Sequence, residues 1–162
     1  MSADPGTAGH GRSRMVEAIA NGTVIDHIPG ERTLQVAALI AGATDQVFIG
    51  MNLRSARLGR KGVVKVANRD LSPLDLVSLA LLAPEATICV IRDYQVARKG
   101  PPPVPERVVA IARCGNPNCV TTHERWTTAF TAIGHAPLLL RCDYCERVFP
   151  ASSLTLLPRS PT

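Results

Sequence analysis

The sequence predicts an α+β protein: an N-terminal ferredoxin-like β-α-β-β-α-β domain followed by a small all-β, zinc-binding C-terminal domain. Three observations carry this. Strand-type and helix-type apolar periods alternate through the first hundred residues. A proline run, Lys99-Gly100-Pro101-Pro102-Pro103-Val104-Pro105, then interrupts the chain, because proline fixes φ and donates no hydrogen bond. Four cysteines follow in two close pairs, Cys114 and Cys119 as C-x4-C, and Cys142 and Cys145 as C-x2-C. The expected organisation is a mobile tail over 1–14, a first domain over 15–99, a Pro-rich linker over 100–105, a zinc domain over 106–157 and a short tail over 158–162.

The elements are justified in order. Thr23 to Ile28 is rich in β-branched residues and bounded by Gly22 and Pro29, so it reads as a strand. Thr33 can cap a helix running to about Ala41, with Leu34, Ala37, Ala38 and Ala41 on one face and Gly42 near its end. Gln46 to Leu53 alternates, which places Val47, Ile49, Met51 and Leu53 on one face of a strand. Lys61 to Asn68 alternates as well, beyond a polar loop spanning Arg54 to Arg60. Ser72-Pro73-Leu74-Asp75 is a helix start, with Ser as N-cap, Pro at the first position and Asp at the third; Pro84 closes that helix after about Ala83. Thr87 to Arg92 is the next strand, and Tyr94 to Lys99 is expected to continue extended. In the last third, Arg107 to Ala112 leads into the first cysteine pair. Trp126 to Ile133 and Pro137 to Arg141 form a hairpin around Gly134, and Val148 to Leu157 contains a closing strand.

The cysteine pairs carry the clearest chemistry. Zinc takes four soft, deprotonated ligands at the corners of a tetrahedron, and two such knuckles supply them from a short chain. Four thiolates fill every position and leave none for a catalytic water, so one structural zinc per chain is expected. Disulfides would need an oxidising compartment. The first 14 residues contain no apolar run, so no secretory signal is expected, and a cytoplasmic protein is. His123 and His135 lie between the knuckles as the available substitute ligands, and Cys89 stands apart as a buried apolar thiol in a strand.

Composition narrows the rest. Apolar residues make up 46% of the 162, enough for a folded core, while aromatics are only 4%, too few for a platform that stacks single-stranded bases. The net charge of +5 permits phosphate binding without choosing a phosphate. No stretch is apolar enough to span a bilayer; Leu76 to Ile91 is interrupted by Ser78, Pro84 and Glu85. Lys61 and Lys65 lie four apart in a strand and so share a face, which fits either a polyphosphate or a solvated lysine face. Asp26 and His27 are neighbours in a strand, so their side chains should point to opposite faces. No nucleophile elbow, P-loop or H-E-x-x-H is present. The competing reading is a zinc-ribbon nucleic-acid-binding protein, although the knuckles carry no cluster of Arg and Lys.

A set of ordered stretches gives a more specific indication: Val16-Glu17-Ala18-Ile19, Gly22-Thr23-Val24-Ile25-Asp26-His27-Ile28-Pro29, Thr44-Asp45-Gln46, Ile49-Gly50-Met51-Asn52-Leu53, Gly59-Arg60-Lys61, Leu79-Ala80, Ala83-Pro84 with Ala86-Thr87, and Pro105-Glu106-Arg107, followed by C-x4-C and Y-C-E. Over about residues 15–157 the chain resembles the regulatory chains of aspartate carbamoyltransferase. The resemblance implies a subunit without catalytic residues, belonging to pyrimidine biosynthesis. Its first domain would bind CTP and ATP as allosteric effectors. Its zinc domain would dock on the catalytic chain, and homodimers of regulatory chains would bridge catalytic trimers. Neither a membrane nor a nucleic acid would be a partner. By the same resemblance the nucleotide site would use Glu17, Ala18, Ile19, Asp26, His27, Lys65, Ile91, Tyr94, Val96 and Lys99, with Lys65 at the ribose and base and Lys99 at the phosphates. Asn116, Asn118 and Glu146 would contact the catalytic chain. Two positions depart from the family pattern: Ala20 stands where a lysine is frequent, and Cys89 where an asparagine often contacts the nucleotide. Lys61 is the expected substitute for part of the missing charge.

Overall fold

The computed structural model describes residues 17–158. The expected tail over 1–14 lies outside them. The first sheet contains β1 (Gly22–Ile28), β2 (Val47–Ser55), β3 (Gly59–Ala67), β4 (Thr87–Arg92) and β5 (Gln95–Gly100) in the spatial order β2-β3-β1-β4-β5, with every neighbouring pair antiparallel. Helices α1 (Thr33–Ile40) and α2 (Pro73–Leu82) follow β1 and β3. The first four strands and the two helices make the expected ferredoxin-like order. The added strand β5 exists because Asp93 and Tyr94 both take positive φ, 49° and 64°, and turn the chain back on β4. Tyr94 therefore sits in a tight hairpin turn and does not continue β4, as its sequence neighbourhood suggested.

Both helices cover one face of this sheet. Their contribution to the core is Val36, Ala37 and Ile40 from α1 and Leu79 from α2, with Ala83 just beyond its end, packed on Ile25, Ile28, Val64, Val66 and Ile88. The buried stripe of α1 is Thr33, Val36, Ala37 and Ile40, while Leu34 is 59% exposed. The face expected from Leu34 and Ala38 is thus rotated, because the β-branched Val36 and Ile40 bring more apolar surface to the core than the alanines do. Gly62 admits this packing, since a Cβ there would lie 1.9 Å from Thr33 Oγ1. Helix α2 begins with the expected capping box: Asp75 N donates to Ser72 Oγ at 3.1 Å and Ser72 N donates to Asp75 Oδ2 at 2.8 Å.

Two bulges alter the expected faces. In β2, Asn52 has φ 56° and the register with β3 shifts between Gly50 and Leu53. Val47 and Ile49 therefore lie opposite Val66 and Val64, whereas Leu53 lies opposite Lys61 on the other face. In β1, His27 has φ 58° and the register with β3 shifts between Ile25 and Ile28. At the other end of β1, Gly22 has φ 132°, and a Cβ there would lie 2.2 Å from Val66 O, so no other residue fits.

The second sheet is β6 (Arg107–Val109), β7 (Ala129–His135), β8 (Leu138–Cys142) and β9 (Val148–Pro150), antiparallel in that order. A four-residue helix α3 (Val120–His123), not foreseen from the sequence, follows Cys119. Its core contains Val108, Phe130, Leu138, Leu140 and Leu154 together with three of the cysteines. Leu81 of α2 is part of this second core and is 1% exposed. Val77, one turn earlier, packs beside it. Apart from Asp75 and Ser78, helix α2 is apolar, and it is a wall of both cores. Val104 of the proline-rich segment also packs on the second core, and Pro102 is buried. Among the described residues no helix is long and apolar enough to cross a membrane.

Candidate functional site: a four-cysteine centre and the open face of the first sheet

The two knuckles converge. The Sγ atoms of Cys114, Cys119, Cys142 and Cys145 all lie within 4.8 Å of one another, with Cys114–Cys145 at 3.7 Å and Cys119–Cys142 at 3.9 Å. A tetrahedron with metal–sulfur bonds of about 2.3 Å has edges of about 3.8 Å, so these spacings suit a four-thiolate metal. None of the four is in a disulfide, and neither His123 nor His135 belongs to the cluster. Backbone and side-chain donors surround the sulfurs: Asn116 N donates to Cys114 Sγ at 3.4 Å, and Thr121 Oγ1 to Cys119 Sγ at 3.2 Å. Burial pushes the Cys114 thiol up. Burial acts on Cys145 in the same sense, but the Asn116 side chain and the Arg147 backbone outweigh it and bring that thiol down to about 7. Such a group gives up its proton to an incoming cation readily.

Asn116 is buried at 6% exposure, and its Oδ1 accepts from Asn118 N at 3.1 Å, so its visible task is to brace the first knuckle. Asn118 and Glu146 are exposed, and Glu146 holds φ 58° to close the second knuckle. Beside that knuckle Trp126 and Tyr144 form an edge-to-face pair with centroids 5.7 Å apart, both rings exposed.

The second constellation lies on the face of the first sheet that the helices leave open. Registers across all five strands align Phe48, Lys65, Val24, Cys89 and Lys99 in one row. Lys65 Nζ donates to Glu17 O at 2.9 Å, which draws the segment before β1 to the row. Tyr94 N donates to Ala20 O at 2.9 Å, holding the same segment to the β4–β5 turn. Glu17 and Ala18 are exposed and Ile19 is buried. Ile91 pairs with Gly22 on one side and Val96 on the other. Tyr94 is 70% exposed and Val96 57%. Cys89 is half-buried, a correction to the buried thiol expected from its strand, because the face it occupies carries no helix.

Asp26 and His27 are not separated by the strand as expected. The bulge turns them together, with His27 Nδ1 3.5 Å from Asp26 Oδ2 and His27 N donating to Asp26 Oδ1 at 2.6 Å. Lys61 Nζ lies 2.7 Å from the same carboxylate. Burial alone would raise the Asp26 carboxyl, but the hydrogen bonds from Lys61 and from the His27 backbone hold it below the usual 3.8. The folded state therefore favours the ionised form. Its contribution is complete above the unfolded value and is lost as pH falls through the lower folded value. Asp26→Asn should cost about 1 kcal/mol at neutral pH, a small figure because the pair is partly solvated. In urea unfolding, the gap between wild type and variant should narrow as pH falls below the usual 3.8. A gap that does not change with pH would remove the ion pair as its cause.

Comparison with known proteins decides the family. Residues 14–102 match the aspartate carbamoyltransferase regulatory chain, allosteric domain, and residues 106–154 match the metal binding domain of the same chain. The chain belongs to this family. It is 48% identical over 139 residues to the aspartate carbamoyltransferase regulatory chain of Pyrococcus abyssi, covering 82% of this chain and 90% of the relative. It is 41% identical to that of Methanothermobacter thermautotrophicus, with coverage of 86% and 91%, and 41% identical to that of Porphyromonas gingivalis, with coverage of 88% and 96%. This aspartate carbamoyltransferase regulatory chain is thus a non-catalytic subunit with an allosteric and a metal-binding domain, and the nucleic-acid reading gives way to it.

One feature of the regulatory chain escaped the sequence. Leu81 and Val77 bind the two domains of this chain together. The available signal was the apolar run from Leu76 to Leu82, broken by Ser78 alone, which is wider than an amphipathic helix lying on one sheet needs.

Proposed function

We propose that this regulatory chain binds CTP and ATP on the open face of its first sheet and thereby sets the aspartate affinity of catalytic trimers in pyrimidine biosynthesis. The observation that supports this best is the row from Lys65 to Lys99. It sets two ammonium groups on either side of a half-apolar floor, with backbone from 17–20 and the β4–β5 turn alongside. Lys65 meets the ribose and base, Lys99 the phosphates, and backbone groups near Ala18, Ile19 and Ile91 read the base edge, with Glu17, Asp26, His27, Tyr94 and Val96 completing the site. Residues 15–99 form the effector domain and 106–157 the docking domain. The four cysteines hold one structural zinc in the reduced cytoplasm. Asn118 and Glu146 contact the catalytic chain directly, Asn116 acts through the loop it braces, and the exposed Trp126–Tyr144 pair suits such an interface. Regulatory chains pair as homodimers that bridge two trimers.

The mechanism is population shift. An effector acts through its different affinity for two quaternary states, and a coupling of roughly 1–3 kcal/mol suffices. Aspartate saturation curves of the catalytic trimer test this, taken alone, with the regulatory chain, and with added CTP or ATP. A curve that shifts on assembly and again with nucleotide is expected. Assembly without a nucleotide response would overturn the effector reading. Lys65→Ala should weaken CTP binding by about tenfold or more, as loss of a charge-assisted contact does, and leave assembly intact. Unchanged calorimetric affinity would remove Lys65 from the site.

A further inference from the structure

The four sulfurs of the cysteine centre differ in their access to water. Cys145 is half-buried, whereas Cys114, Cys119 and Cys142 are 4%, 1% and 0% exposed. Four thiolates around a divalent ion leave an excess of negative charge, and buried charge is costly unless donors meet it. At Cys145 water can be such a donor. At the three buried sulfurs the donors must come from the protein. Backbone N–H groups of Tyr144 and Cys145 serve Cys142, and that of Asn116 serves Cys114 at 3.4 Å. Cys119 is served from α3. Thr121 Oγ1 donates to its Sγ at 3.2 Å, and among the described residues no other side chain outside the cluster does so.

The two threonines of α3 have different partners. Thr122 Oγ1 donates to the backbone carbonyl of Asn116 at 3.1 Å and fastens the loop of the first knuckle. Thr121 reaches the sulfur itself. With four residues and Cys119 as its N-cap, α3 is a single turn with little stability of its own, and its side-chain bonds are what tie it to the centre. We infer that Thr121 is a positioning residue of the metal centre, whose hydroxyl holds the Cys119 thiolate in place and thereby sets how tightly the metal is kept. This rests on the reading that the four cysteines hold a metal and extends it by a residue. The bond matters more here than it would at an exposed sulfur, because water cannot replace a donor lost beside a sulfur 1% exposed. Valine keeps the branched shape of threonine and removes the hydroxyl, so it isolates this bond.

The test uses the full-length chain loaded with zinc or with cobalt(II), as wild type, Thr121→Val, Thr121→Ser and Thr122→Val. Competition with a chelator reads the metal affinity, and the cobalt(II) form adds the sulfur-to-metal charge-transfer band. Thr121→Val should lower zinc affinity by about tenfold to a hundredfold, the range for lost partners of metal ligands. Its band should move to longer wavelength, because a sulfur without its hydrogen bond gives up electron density more easily. Thr121→Ser keeps the hydroxyl and should restore both. Thr122→Val should leave the band in place, since its bond goes to the loop and not to a sulfur. Wild-type affinity and band in Thr121→Val would overturn the inference. So would an affinity loss without a band shift, a serine variant no better than valine, or an equal band shift in Thr122→Val. Wild type that binds neither zinc nor cobalt(II) would instead overturn the metal reading beneath it.

Discussion

Cys142→Ser is expected to strip the metal and with it the association with the catalytic chain. Cys142 is fully buried, closes β8 and stands 3.9 Å from Cys119, so it is part of the second core and, on the proposed reading, a ligand of the metal. That core is small, and a four-thiolate zinc contributes about 10–16 kcal/mol in comparable peptides, more than a module of this size has in reserve. Serine supplies a hard alkoxide-type oxygen in place of a thiolate, and three sulfurs do not hold the tetrahedron closed. Elemental analysis should find no zinc, and gel filtration with the catalytic trimer should find free regulatory chain. The knuckles carrying Asn118 and Glu146 lose their shape with the metal. An assembled complex lacking metal would refute the structural role.

Leu81→Ala should produce the second large effect, a loss of about 2–5 kcal/mol in urea unfolding, as for other fully buried leucines. Its more telling consequence is functional. Leu81 enters the second core from a helix whose Leu79, with Ala83 just beyond its end, packs on the first sheet. Removing it should leave zinc content and assembly intact and weaken the shift of the aspartate curve by CTP or ATP. A full nucleotide response in this variant would show that α2 is not the coupling element.

The parts of the fold legible in the sequence are those set by local chemistry. Ser72, Pro73 and Asp75 announce the start of α2 because each solves a problem of the helix N-terminus, and the structure contains that capping box. The four cysteines are equally legible, since metal-ligand spacing is a property of short loops. What depends on long-range register is not. The bulges at His27 and Asn52 use residues that give no glycine signal, so the contact of Asp26 with His27 and the change of face at Leu53 are invisible in the strand pattern. The same holds for the turn at Asp93 and Tyr94. The row from Lys65 to Lys99 joins residues 34 positions apart, and only the pairing of β3, β1, β4 and β5 creates it. Leu34 misled because leucine is the most apolar residue of the α1 start, yet it lies off the stripe formed by Val36 and Ile40.

The sharing of α2 also determines how the two halves can move. With Pro102 buried and Val104 packed on the second core, the proline-rich segment is a strap pinned at these two residues, with Pro101 and Pro103 exposed between and beside them. Arg32 Nη2, 2.8 Å from Ser152 O, adds a tether on another side. A displacement of one half against the other would slide Leu81 and Val77 of α2 against the second core, the kind of shear that packed helices make. A signal carried by such a slide would be scaled by the spacing of side chains along one helix.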